Sequence, residues 1–410
     1  MKPSRNGAER MKGEAVYVLG GLRTPIAHRG GALSHRRPEE LGSLVMRALL
    51  ARYGLSGREL SGVLAGNAVG TGGNLARLTA LMADIPEEVP ACTVDMQCAS
   101  AAAAISLAAA KLASGQGELF LAGGMESASL QPLRVYDEKD PRHALVPDGA
   151  YKTAQFAPGD VSADAMLRGA ERVMEAEHVT KEELDAFVLR SHHLAGEAVQ
   201  KGWLADVILP VGTCRRDSGV RPHLSKKLLR RLPPHFGPGT LLDAGNACAI
   251  HDGAAFLLLA SGDFLRRHHL KPEARLVATA SVGGNPAESP RGAMRTADAL
   301  LLRQGLSYEN LAAIEFNEAF AVIDVLFERA HPGCLSRYNC LGGALAYGHP
   351  YGASGAIFAL HLLQSLKLAG GGLGLLSIAG AGGMGEAILL ERLSDAASEK
   401  WSGEEVHEDA

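Results

Sequence analysis

The sequence predicts an α/β protein built from two similar halves, with a long segment inserted between them. Over residues 14–124, short apolar strands alternate with helices of apolar periodicity, the pattern of a layered α/β architecture. The order then repeats. The run Leu60–Ala68 resembles Leu311–Ala319, and 31 residues separate Asn67 from Cys98 against 32 from Asn317 to His349. Between the halves, residues 125–240 break the pattern with many prolines and dense charge, as inserted binding segments do.

In the first half, Val16–Leu19 reads as a buried strand ending at Gly20-Gly21. Pro38–Tyr53 reads as a helix with Leu41, Leu44, Val45, Ala48 and Leu49 on one face. Val63–Ala65 is a strand and Asn74–Met82 a helix. Cys98–Leu112 is a helix so rich in Ala, Ile and Leu that it must be buried on nearly every side. Leu119–Ala122 is a strand closed by Gly123-Gly124, matched in the second half by the glycine-flanked strand Leu373–Gly383. The insert holds a charged stretch (Arg134–Arg142), a helical run from Asp164 to Gly202 and a basic cluster from Arg221 to Arg231. The expected division is 14–124 with 241–275 for the first half, 125–240 for an inserted loop domain over the site, and 276–393 for the second half. Residues 1–13 and 394–410 are expected to be flexible tails.

With 47% hydrophobic and 21% charged residues in 410, the chain has apolar material for more than one large core. A net charge of −4 and a pI near 6.4 argue against nucleic acid or an anionic membrane as the main partner. The six cysteines (92, 98, 214, 248, 334 and 340) form no CxxC pair and no metal spacing, so they read as reduced thiols of a cytoplasmic protein. No apolar run reaches the roughly 18 residues of a spanning helix, and the N-terminus lacks the apolar core of a signal peptide.

Three residues suggest chemistry. Cys98, in Thr93-Val-Asp-Met-Gln-Cys98-Ala-Ser, stands where a helix begins, and the positive end of a helix dipole favours a thiolate. His349 lies in a glycine-rich loop before Pro350, which fits a first helical position, and an imidazole there can take a proton from a thiol. Asn317 can anchor a water or an imidazole, since its amide both donates and accepts. Each taken alone fits an ordinary role equally well: an inert buried cysteine, a satisfied core histidine, a turn asparagine.

Taken together, the motifs resemble the thiolases over nearly the whole chain, from Arg23-Thr-Pro-Ile26 to Glu391. The matching pieces are Gly66-Asn67, Gln97-Cys98-Ala-Ser100, Gly123-Gly-Met-Glu-Ser127, Ala244-Gly-Asn246 and Asp252-Gly-Ala-Ala255. They continue with Asn317-Glu-Ala-Phe320, Gly348-His-Pro350, Gly352-Ala-Ser-Gly355 and Gly382-Gly-Met-Gly385. The resemblance implies a duplicated five-layered α/β/α/β/α fold and an acyltransferase acting on coenzyme A thioesters. Coenzyme A is then substrate, and no cofactor is expected. Cys98 is implied as the acyl-accepting nucleophile, His349 as its base, and Asn317 as the holder of a water that completes one oxyanion hole. Backbone N–H groups of Cys98 and Ala381 are implied as the other hole. Arg221 matches a nucleotide-contacting position, Cys248 one near the pantetheine, and Met166 and Phe320 positions near the acyl pocket. A homodimer or homotetramer is implied as well.

The sequence also departs from the family. The second cysteine, which serves as acid/base in the carbon–carbon half-reaction, is replaced by Ala379. Asp95 and Met96 replace an asparagine and a basic residue, Ala165 replaces a histidine, and a Met-Gly-x-Gly-Pro segment is reduced to Ser289-Pro-Arg-Gly-Ala293. Ser377, two residues before Ala379, and Cys340 are candidate replacements for the lost group. Three functions therefore stay open: a thiolase, a Cys-His-Asn condensing enzyme or acyltransferase with weak thiolase activity, and a catalytically silent scaffold.

Overall fold

The computed structural model of the protein describes residues 14–392; the expected tails lie outside the described residues. The first half runs β1 (Val16–Arg23), a short β2 (Ala27–His28), α1 (Pro38–Arg52), β3 (Gly62–Gly66), α2 (Leu75–Met82), β4 (Ala91–Val94), α3 (Ser100–Ala113) and β5 (Leu119–Ser127). The insert carries a small hairpin, β6 (Arg134–Val135) with β7 (Ala150–Tyr151), then α4 (Ala165–Ala176), α5 (Lys181–Lys201) and α6 (Lys226–Leu229). The chain returns to the first half as β8 (His251–Ser261) and α7 (Gly262–Arg267). The second half is β9 (Ala274–Val282), α8 (Gly292–Gln304), β10 (Ala313–Phe316), α9 (Ala321–Ala330), α10 (Ala344–Tyr347), α11 (Tyr351–Leu368), β11 (Gly372–Gly380) and β12 (Met384–Arg392).

Strand pairing bears out the duplication. The order β3-β5-β8-β1 in one half is matched by β10-β11-β12-β9 in the other, each with one parallel pair followed by antiparallel pairs. The two sets meet where β1 pairs with β9 at Val16–Val18. Helices α3 and α11 touch strands of both sets and so form a shared central layer. Helices α1 and α2 cover the outer face of the first set and α8 the outer face of the second, giving the expected five layers.

Several elements differ locally from expectation. Strand β1 does not stop at Gly20-Gly21 but continues to Arg23, with a register slip between Val18 and Gly20. The Tyr53 hydroxyl occupies the place a Gly20 side chain would take, donating to the Leu19 carbonyl (2.9 Å). Strand β5 likewise runs through Gly123-Gly124 to Ser127, because paired strands hold glycine extended when a neighbouring backbone needs the room. The run Asp164–Gly202 is two helices, parted before Thr180, which caps α5 in a reciprocal box with Glu183. Helix α3 begins at Ser100, so Cys98 sits in the turn before it, and Pro350 is the N-cap of α11 instead of its first residue.

The central layer is unusually tight. A Cβ at Gly355 of α11 would land on the Ala102 amide nitrogen of α3, and one at Gly66 or Gly124 on the Gly352 carbonyl oxygen. Backbone therefore meets backbone where the two helices start. Gly355→Ala is expected to destabilise the protein by about 1–3 kcal/mol, the usual cost of overpacking. Urea unfolding compared with Gly333→Ala, at an open position of ordinary φ with nothing nearby, checks this; equal midpoints would contradict it.

Candidate active site

A tight turn presents Cys98. Gln97 takes a left-handed conformation (φ 54°), and the Asp95 carboxylate accepts from the Gln97 backbone N–H (2.9 Å) and side-chain amide (3.0 Å). Ser100 Oγ accepts from the Met96 N–H (2.8 Å) and donates to the Gln97 carbonyl (2.5 Å). A non-glycine residue held at positive φ beside a nucleophile is strain kept in place by surrounding bonds. Two backbone N–H groups, those of Cys98 itself and of Ala381, point at the thiol.

Burial nevertheless pushes the Cys98 thiol up to about 12; the two N–H groups pull it down, while the Glu126 and Asp95 carboxylates push it further up. The dipole-lowered thiolate expected at a helix start is therefore corrected: desolvation outweighs the helix dipole, and the resting thiol is protonated.

His349 lies two residues before α11, as Cys98 lies two before α3. Gly348 (φ 99°) turns the chain into it, where a side chain would collide with the His251 ring. His349 Nδ1 lies 2.6 Å from Ser354 Oγ, and the Ser354 hydroxyl donates to the Pro350 carbonyl (3.0 Å). With its single hydrogen so used, Ser354 accepts from Nδ1–H, which leaves Nε2 with a lone pair. Asn317 Nδ2 stands 3.5 Å from that Nε2, and its Oδ1 is buried without a protein partner. Burial, with His251 adding to it, pushes the His349 imidazole down to about 3. It is a neutral base at pH 7.

Two buried carboxylates hold these pieces together. Glu126 at the end of β5 accepts from Asn67 Nδ2 (2.8 Å) and from the N–H groups of Ala68 (2.9 Å) and Gly352 (2.9 Å), with Val69 at 3.3 Å. Glu318 accepts from Ser191 Oγ (2.5 Å), Asn339 Nδ2 (2.9 Å) and the Leu345 N–H (3.3 Å), tying the Asn317 loop to α5 and to the loop before His349.

A cavity of about 670 Å³ opens between the insert and the rest of the molecule. Arg221 and Arg231 line it with His28, His192, Ser218 and His251. The insert is clamped there by Asp217, which takes two hydrogen bonds from buried Arg23 (2.7 and 2.8 Å) and one from the Ile26 N–H (2.8 Å). Phe320 and Ala379 share the second apolar cluster, with Met166 and Cys248 at its margin.

The structure thus gathers Cys98, Ala381, His349 and Asn317 around the starts of α3 and α11, and places Arg221 on the cavity wall. It does not bring in the two candidate replacements for the lost cysteine. Ser377 donates to the Ala293 carbonyl (2.7 Å), and Cys340 to the Ser336 carbonyl (3.4 Å) on the side of Glu315. Sequence reading missed His192, whose Nδ1 accepts the Arg221 N–H (3.1 Å), and the tautomer-setting role of Ser354; isolated polar residues carry no periodic signal.

A thiolase N-terminal domain model matches residues 16–263 and a thiolase C-terminal domain model matches residues 270–392. The chain belongs to the thiolase family. It is 34% identical to a beta-ketoadipyl-CoA thiolase of Pseudomonas knackmussii, over 92% of this chain and 99% of that one. It is also 34% identical to the 3-oxoadipyl-CoA/3-oxo-5,6-dehydrosuberyl-CoA thiolase of Escherichia coli, again over 92% and 99%. The crystal structure of the Bacillus anthracis acetyl-CoA acetyltransferase superposes with a TM-score of 0.87 at 30% identity, covering 93% of this chain and all of that one. Among the described residues no helix is long and apolar enough to cross a membrane.

A protonated Cys98 beside a neutral His349 predicts a specific pH profile. Alkylation of the free enzyme at Cys98 by iodoacetamide is expected to keep accelerating from pH 7 to pH 9. A plateau already at pH 7 would reveal a preformed thiolate–imidazolium pair and contradict the neutral resting state.

Proposed function

We propose that this chain is a thiolase-type acyltransferase, taking an acyl group from an acyl-CoA or 3-ketoacyl-CoA onto Cys98 and passing it on. The observation that supports this reading is a sulfur served by two backbone N–H donors just before α3, which packs backbone to backbone on α11, the helix that His349 precedes with its lone pair set by Ser354. As Cys98 attacks the thioester or keto carbonyl, its proton passes to His349 Nε2. The developing oxyanion is met by the N–H groups of Cys98 and Ala381, donors that typically contribute about 3–4 kcal/mol each. The protonated Nε2 becomes a donor for the second half-reaction, together with a water held by Asn317 Oδ1.

The cavity suits the coenzyme A end of such a substrate. Arg221 and Arg231 match its phosphates, and the neutral walls at Leu224, Leu228 and Ala247 suit pantetheine. The names of the relatives support 3-ketoacyl-CoA substrates. Six free cysteines suit a reducing compartment such as the cytoplasm, and the open outer edge of β4 suits pairing in a homodimer or a tetramer of such dimers. Ala379 favours a second reading, acyl transfer without carbon–carbon chemistry.

Brief incubation with acetyl-CoA followed by peptide mapping is expected to place the acyl mass on Cys98, and none on Cys98→Ala. His349→Ala is expected to slow acylation by about 10²–10⁴-fold. Acylation elsewhere, or at an unchanged rate in His349→Ala, would remove that residue from its role.

Arg221→Ala is expected to raise KM for coenzyme A thioesters with little change in kcat, and to spare a short pantetheine thioester. Equal losses with both donors would contradict a nucleotide-binding role.

A further inference from the structure

Thiolysis and condensation require a group that moves a proton at the carbon next to the thioester, and Ala379 cannot do so. The strand position that has lost its thiol lies in an apolar cluster with another thiol at its margin. Cys248, in the segment leading into β8, packs against this cluster and also against the cluster that contains Cys98. The two thiols lie within electrostatic reach of one another, and Tyr351 lies within reach of both.

The segment that holds Cys248 is anchored to both catalytic loops. Ala247 bridges to Phe320, and the Cys248 N–H donates to the Ala319 carbonyl (2.9 Å), fixing it to the Asn317 loop. Ile250 bridges to His349, whose N–H donates to the Ala249 carbonyl (3.1 Å). Ala247, Ala249 and His251 line the coenzyme A cavity. Alternation along the segment turns the side chain between them, Cys248, away from the cavity wall and onto the cluster that contains Cys98. Cys248 is half-buried and so keeps some exposure to solvent.

We propose that Cys248 is the acid/base of the carbon–carbon half-reaction, doing from the β8 approach what the β11 position no longer does. This rests on the thiolase reading. In thiolysis the Cys98 sulfur adds to C3 of a 3-ketoacyl-CoA, its proton having gone to His349. The C2–C3 bond then breaks, and its electron pair passes to C2 of the departing acetyl-CoA enolate. Cys248 gives its S–H proton to C2, releasing acetyl-CoA and leaving a Cys248 thiolate. The incoming coenzyme A thiol gives its proton to that thiolate while its sulfur attacks the acyl carbon. The Cys98–acyl bond breaks, and Cys98 recovers its proton from His349. Condensation runs the same transfers backwards, with the Cys248 thiolate removing the α-proton. Burial pushes the Cys248 thiol well above its ordinary range, and a thiolate at Cys98 would push it further, so it rests protonated.

The test separates the two half-reactions in the full-length enzyme. Rapid-quench acylation of Cys98 by acetyl-CoA reads the first, and deuterium entry into the acetyl-CoA methyl group from D₂O, with acetoacetyl-CoA thiolysis, reads the second. Cys248→Ser and Cys248→Ala are expected to lose deuterium entry and thiolysis by about 10²–10⁴-fold while acylation changes by less than about threefold. Adding Ala379→Cys to Cys248→Ser is expected to restore at least about tenfold of the lost thiolysis. Deuterium entry retained in both Cys248 variants overturns the proposal, as does an equal fall of acylation and exchange, which makes Cys248 a binding or packing residue. Loss of exchange in Tyr351→Phe with retention in Cys248→Ser also overturns it and moves the role to the phenol. If wild type forms no acyl-Cys98, the thiolase reading itself fails.

Discussion

The site depends on two helices whose first turns touch backbone to backbone. Because Gly355 of α11 presents no side chain to α3, the Ala102 backbone lies directly against it, and Gly66 of β3 fits between the Ser100–Ala101 peptide and the Gly352 carbonyl. A residue of any larger size would push the helices apart and carry Cys98 away from His349. Glu126 adds direction to this contact. Its carboxylate collects N–H groups from the Asn67 loop and from Gly352, so a strand of the first half reaches into the second. Burial pushes that carboxyl up to about 7 while the N–H donors of Ala68, Gly352 and Val69 pull it down, a balance that keeps a polar tether inside an otherwise apolar layer.

The same burial decides the electrostatics of the catalytic pair. In water an imidazole near a thiol shares its proton readily. Here both groups are enclosed, and desolvation penalises every charged form, so Cys98 is pushed up and His349 down. The pair rests neutral, and charge develops only when a substrate carbonyl is present to receive it. Donors fixed in advance at Cys98 and Ala381 are most effective under those conditions, since they need not reorganise and little water competes with them.

Duplication gives the molecule one fold but two different chemical ends. Corresponding helices bring a thiol from one half and an imidazole from the other; Glu126 of the first half tethers the Gly352 N–H beside His349, and Glu318 of the second tethers the Leu345 N–H before it. The insert differs in kind. It has no counterpart in the second half, it is locked down through Asp217 on Arg23, and it contributes the cationic wall that the symmetric core lacks.

Much of this was legible in the residues. Alternating strands and helices, the repeated spacing from Asn67 to Cys98 and from Asn317 to His349, and the family motifs around them led to the layered fold and to the four positions that the structure gathers. Those signals are local or periodic, so one sequence carries them. Element ends were less legible: glycine pairs that usually close a strand are, in β1 and β5, held extended by neighbouring strands that only the folded chain brings alongside. The protonation of Cys98 and His349 was out of reach for the same reason, because a helix dipole is local while desolvation depends on everything packed around the site. Nor could spacing reveal how the remaining hydroxyl and thiol groups are held. Ser377 and Cys340 commit their donors to the Ala293 and Ser336 carbonyls, whereas the segment of Cys248 is fixed between the Asn317 and His349 loops by bridges to residues about 70 and 100 positions away. The sequence by itself determined the family and, through the resemblance, which residues are candidates for its chemistry, with Ala379 where that resemblance implies a second cysteine. Only tertiary structure decided the charge state of Cys98 and His349 and how the segment of Cys248 is anchored between the Asn317 and His349 loops, because both depend on contacts between segments far apart along the chain.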